Sequence, residues 1–116
     1  MTSTKEYRDF VIEQLRGLDE ITCRPMMGEY LLYHKGLLFG GIYDDRLLVK
    51  KTDNTNKYNM EETIPYNGAK SMFLVDNVDN QELLENIVLD TCEGLRKNER
   101  WIRNNRIIRF VRLCNT

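Results

Sequence analysis

The chain has 116 residues, with 17 Lys+Arg against 18 Asp+Glu and a formal net charge of -1. This length predicts one domain whose core closes without staples, and 41% hydrophobic with 30% charged residues excludes the disordered and fibrous classes. No apolar run reaches the length of a membrane span, and the opening MTSTKEYRDF lacks the apolar region of a signal peptide. Three widely spaced cysteines, Cys23, Cys92 and Cys114, suggest neither a disulfide framework nor a zinc ribbon, so reduced thiols in a cytoplasmic protein are expected.

The near-neutral total hides two unlike parts. Residues 1–95 hold 10 Lys+Arg and 17 Asp+Glu, a balance of -7, whereas residues 96–116 hold 7 Lys+Arg and one Glu, a balance of +6. The expected organisation is a domain over 1–95 followed by a basic amphipathic tail or helix extension over 96–116.

The first predicted element is an amphipathic helix over about residues 4–17. Tyr7, Phe10, Val11, Leu15 and Leu18 recur at three- and four-residue spacing on one face. Ser3 and Glu6 have capping-box spacing, and Gly17 suits a C-terminal cap. From residue 21 the period falls to two, and ITCRPMM, EYLLYH, LLFGGIY and RLLVKK read as strands. Gly28, the His34-Lys35-Gly36 loop and Asp44-Asp45 separate them. Such short connections join antiparallel neighbours, giving a meander. Gly40-Gly41 inside the most apolar strand points to a bulge, or to a helix packed too close for a side chain.

Residues 52–70 are polar, with a short helix predicted around Asn56–Met60 and a turn at Asn67-Gly68. SMFLVD reads as a last strand. Leu84, Ile87, Val88, Thr91 and Leu95 then form a second helical stripe, with Asp79 as cap and Glu82 as its partner. The order helix, antiparallel meander, short helix, strand, helix predicts a two-layer α+β fold with helices on one face of the sheet. Its open edges could pair with a second copy.

Chemistry-bearing groups are sparse. His34 is the only histidine and reads as an exposed loop residue without a nucleophile or orienting partner. Cys92 reads as a small core residue, whereas Arg24 beside Cys23 could lower that thiol's pKa. Asp44-Asp45 reads as a turn, since adjacent carboxylates rarely chelate one ion. Phosphate-loop, dinucleotide and metalloprotease motifs are absent from the sequence. No catalytic, cofactor-binding or metal-binding residue is assigned, and an enzyme is not expected.

The tail RKNERWIRNNRIIRFVRLCNT places Arg100, Arg103, Arg106, Arg109 and Arg112 at every third position, interleaved with Trp101 and with aliphatic residues. Guanidinium groups alternating with apolar side chains suit nucleic-acid contact. The same pattern suits an anionic membrane, an acidic protein surface, or packing of the tail on its own acidic body.

The stretch RPMMGEYLLYHKGLLFGGIYDDRLLVK resembles the signature of the TfoX N-terminal domain family, the TfoX/Sxy-like competence regulators. The positions carrying the likeness are Arg24, Met26, Met27, Gly28, Tyr30, Tyr33, Gly36, Phe39, Gly41, Asp44, Asp45, Leu47 and Lys50. KEYRDFVIEQL, AKSMFLVDNVDN and the closing helix extend it over about residues 4–95. The resemblance implies a small cytoplasmic α+β domain, often a homodimer and without known catalytic residues, whose signature positions are structural. Full-length relatives add a second domain and co-activate competence genes with the cyclic-AMP receptor protein, so this length implies the stand-alone form. The implied function is regulation of transcription by protein–protein contact, with nucleic-acid binding through the tail as the alternative. Stand-alone members tend to end in a Pro/Lys-rich stretch, from which this tail departs.

Overall fold

The computed structural model describes the backbone of residues 3–114 and the side chains of residues 3–97. In chain order the elements are α1 (Lys5–Gln14), β1 (Ile21–Met26), β2 (Glu29–His34), β3 (Leu37–Ile42), β4 (Leu47–Val49), a 3-10 helix (Asp53–Tyr58), β5 (Glu61–Thr63), β6 (Met72–Leu74) and α2 (Gln81–Cys114). The fold is α+β, as expected, with one six-stranded sheet in the order β1-β2-β3-β4-β6-β5 and every pair antiparallel. The strand β5 was not expected, because Glu61–Thr63 has no apolar alternation to announce it. It owes its conformation to its ladder with β6, which pairs Glu62 with Phe73.

Both helices pack on one face. Val11 of α1, its C-cap Leu15, and Leu84, Ile87, Val88 and Cys92 of α2 meet Tyr30, Leu32, Phe39, Ile42, Leu47, Val49 and Phe73 of the strands. The α1 stripe is narrower than its spacing suggests: Phe10 remains 42% exposed. Helix ends also differ from expectation. The Thr4 hydroxyl, rather than that of Ser3, caps α1 by accepting from Tyr7 N–H at 3.1 Å. The helix ends at Gln14 with Leu15, not Gly17, as its C-cap. In α2 the Asn80 side chain, rather than Asp79, accepts from Leu83 N–H at 3.2 Å. Each hydroxyl or amide satisfies an amide that has no partner inside the helix.

Ser3 is freed from capping to serve a tertiary role. Its N–H donates to the Gly28 carbonyl at 3.1 Å, and its hydroxyl donates to Glu29 Oε2 and accepts from Asp45 N–H. Thr4 N–H donates to Asp45 Oδ1 at 2.8 Å, and Asp44 N–H donates to Glu29 Oε2 at 2.6 Å. Asp44 and Asp45 both have φ of 54°, and Tyr43 and Arg46 exchange backbone bonds across them, which makes the tight hairpin turn. The turn thus ties Ser3 and Thr4, at the start of α1, to the β2 and β3–β4 ends of the sheet. Asp45→Ala should lower stability by about 1–2 kcal/mol, as loss of an amide-capping carboxylate does. A thermal unfolding midpoint equal to wild type would refute this tie.

The Gly40-Gly41 pair has the first of its two expected causes. Tyr33 pairs with Leu38 and Leu32 with Gly40, so Phe39 is the extra residue of a bulge beside the glycines. The neighbours that forbid a side chain are strand atoms and not a helix. A Cβ at Gly40 would lie 2.2 Å from the Leu48 carbonyl oxygen, and one at Gly41 would lie 2.6 Å from that of Tyr30.

His34 departs from expectation. It closes β2 on the helix-side face with Tyr30 and Leu32, is only 4% exposed, and among the described residues its Nδ1 has no hydrogen-bond partner. Burial holds its pKa below the ordinary value, reinforced by Arg96 of α2 and by Lys35, against the opposing pull of Glu20 and Asp19. The folded state therefore prefers neutral imidazole. Its stability contribution is complete above the unfolded pKa of about 6.5 and is lost as pH falls through the folded value. Denaturant midpoints should fall between pH 7.5 and 5.5 in wild type and stay flatter in His34→Gln; parallel profiles would contradict the assignment.

Candidate functional site

The outer face of the sheet, opposite the core, carries an open groove whose lining Leu95 of α2 joins at one end. Residues alternate across a strand, so Leu31 and Met72 point away from the helix-side core that contains Leu32 and Phe73. The segment 64–71, with its turn at Asn67-Gly68 (Gly68 φ 86°), joins β5 to β6 along this face. Between segment and strands lies an open groove of about 880 Å³. Met26, Leu31, Leu38, Tyr43, Tyr66 and Met72 supply its apolar lining. The bare backbone of Gly40 forms part of its floor.

Cations gather here although the body as a whole is acidic. Lys50, Lys51 and Lys70 all line the groove. Lys51 is already engaged, bonding Glu62 at 3.0 Å and Ser71 at 3.2 Å. Among the described residues Lys50 and Lys70 have no carboxylate partner. The Tyr43 and Tyr66 rings stand 6.3 Å apart. Burial pushes the Tyr43 phenol above its ordinary pKa, with Tyr66, Glu29 and Tyr33 adding to the effect. At neutral pH that phenol is a hydrogen-bond donor.

The signature positions do not converge on one place. Met26 and Lys50 reach the groove. Gly28 and Gly36 take positive φ in the hairpin turns, and Asp44 and Asp45 build the β3–β4 turn. Arg24 lies over the Tyr33 ring at 5.7 Å, and Arg8 over the Tyr30 ring at 5.2 Å. Leu47 is fully buried, and Gly41 is wedged between Tyr30 and Tyr43. Arg100, Trp101, Arg103, Arg106, Arg109 and Arg112 fall on the backbone of α2, but their side chains lie outside the described residues. Positions three apart on a helix of 3.6 residues per turn step back by about 60°, so these five arginine positions wind around the axis.

The remaining reactive candidates are quiet. Burial raises the Cys23 thiol pKa, contrary to the lowering expected from Arg24, whose guanidinium is directed to Tyr33; the opposing cation is Arg8. Burial likewise raises Cys92, which lies in the core as expected. Tyr58 donates to Asp90, which also pairs with Lys57 at 3.1 Å. Burial and that bond push the Tyr58 phenol up to about 12, and the arrangement ties the 3-10 helix to α2. Among the described residues no three His, Cys, Asp or Glu side chains come together to hold a metal ion. No described helix is long and apolar enough to cross a membrane.

The groove has no signature in the sequence because it joins residues from 26 to 95 across six separate stretches. The one available signal was Lys50-Lys51 directly after the apolar strand Leu47–Val49.

An antiparallel sheet with α1 and α2 packed on its core face, and a cation-rimmed groove along its outer face that Leu95 of α2 also reaches, defines a small α+β domain. Residues 13–85 match the family model of the TfoX N-terminal domain, and the chain belongs to that family. It is also 34% identical over 80 residues to an uncharacterised 12.7 kDa protein in the trpE 5' region of Spirochaeta aurantia. That match covers 67% of this chain and 70% of the relative.

Proposed function

We propose that this chain is a non-enzymatic cytoplasmic regulator of transcription, as a homodimer and by protein–protein contact, with the groove face as the contact surface. The carrying observation is the apolar surface on this face that folding leaves uncovered. Met27 at the β1–β2 turn is 96% exposed, next to the groove residue Met26, while Ile64 and Tyr66 on the walling segment are 47% and 58% exposed. Clustered exposed apolar side chains mark contact surfaces. Membership in the TfoX N-terminal domain family supports a regulatory role, with competence genes as one candidate target.

Raising the level of the protein in its host should change a defined set of transcripts. The double variant Met27→Glu, Tyr66→Glu should abolish that change while keeping the wild-type circular dichroism spectrum. An unchanged transcript profile with wild type, or a full response with the variant, would overturn this reading. A sedimentation coefficient independent of concentration and fitting a monomer would remove the homodimer.

The charge split supports nucleic-acid contact through residues 96–116 as a second reading, since +6 resides on the last part of the chain. In the full chain, replacing Arg100, Arg103, Arg106, Arg109 and Arg112 by Gln should flatten the salt dependence of duplex binding. Every arginine that neutralises a phosphate should, once replaced, reduce the slope by about one. An unaltered slope would reject this reading.

A further inference from the structure

We propose that the groove on the outer face of the sheet, reached at one end by Leu95 of α2, is a binding site for an apolar monocarboxylate, an unbranched chain of about 8–14 carbons. Its volume of about 880 Å³ falls within the small-ligand range of about 300–1,000 Å³. A standard protein interface engages roughly 20–30 residues on each side, more than this groove presents. The larger contact surface proposed above would surround it, but the ligand site does not depend on that reading.

Charge selects the head group. The body carries -7, yet Lys50 and Lys70 both line the groove and lack carboxylate partners among the described residues, while Lys51 is occupied by Glu62. Leu31, Leu38, Met26 and Met72 offer the chain flexible apolar walls, and methionine adapts to irregular shapes. The carboxylate would lie between Lys50 and Lys70, with the phenols of Tyr43 and Tyr66 available as further donors.

The test uses the full chain with carbon-13-labelled methionine methyls and dodecanoate below its micellar concentration. Met26 and Met72 line the groove, whereas Met60 packs against the helix-side core and serves as the internal control. Dodecanoate should shift Met26 and Met72 saturably and leave Met60 in place. Decanoate should bind about tenfold tighter than octanoate, as burial of two more methylenes requires. Lys50→Gln with Lys70→Gln should weaken dodecanoate about tenfold and leave dodecanol binding unchanged. Absence of shifts, equal shifts at all three methyls, equal affinity of dodecyltrimethylammonium, or indifference to the lysine substitutions would each overturn the site. Loss of the transcript response in the Met27→Glu, Tyr66→Glu variant reports on the regulatory reading separately.

Discussion

Gly40→Ala is expected to lower the unfolding free energy by about 3 kcal/mol, at the upper end of the usual cost of overpacking. The added Cβ would meet the Leu48 carbonyl oxygen at 2.2 Å and the Val49 Cα at 2.9 Å. Both are backbone atoms of the paired strand β4, so no side-chain rotation can relieve the clash. The strands must separate where Gly40 pairs with Val49, which also disturbs the floor of the groove. Urea unfolding measures the effect as a reduced midpoint at unchanged slope. A midpoint within experimental error of wild type would refute the close approach of β3 and β4 at Gly40.

Phe39→Ala should cost about 3–5 kcal/mol, the range for emptying a buried aromatic site. Phe39 is the unpaired residue of the β3 bulge, and the bulge turns its ring into the core, where it is fully buried. Such a loss is a large share of the roughly 5–15 kcal/mol by which domains of this kind are stable. Phe10→Ala provides the contrast. Phe10 is 42% exposed on α1 and makes a tilted ring contact with Tyr7 at 6.3 Å, so its truncation should cost well under half as much. Equal losses for the two variants in the same denaturation assay would contradict the burial difference.

The readable parts of this fold are those in which one segment carries its own instruction. Tyr30, Leu32 and His34 alternate with Glu29, Leu31 and Tyr33 over one strand, and Asp44-Asp45 interrupts two apolar runs. Those local patterns were sufficient for the meander, the hairpin turn and the two helices. The errors sit where a local rule meets a tertiary competitor. Ser3 has capping chemistry, but Glu29 and Asp45 claim its hydroxyl, leaving the cap to Thr4. His34 sits beside a Lys-Gly turn, yet it belongs to the inward phase of β2 and is buried. Glu61–Thr63 lacks strand patterning and becomes a strand through its partner β6.

The candidate site was less legible than the fold. Met26 and Lys50 were marked by the family signature, but Leu31, Leu38, Tyr66, Lys70 and Met72 carry no common motif. They become neighbours only when the 64–71 segment lies along the sheet.

The sequence alone determined the α+β class, the antiparallel meander, the family and the division of charge into -7 and +6. The class, the meander and the charge division follow from periodicity or composition within continuous stretches, and the family from the resemblance of its signature positions; none of these depends on contacts between distant residues. Tertiary structure alone decided the burial of His34, the rescue of β5 by pairing, and the groove with its two free lysines among the described residues. These arise between residues separated by tens of positions, where the closing of the sheet sets distance and solvent access.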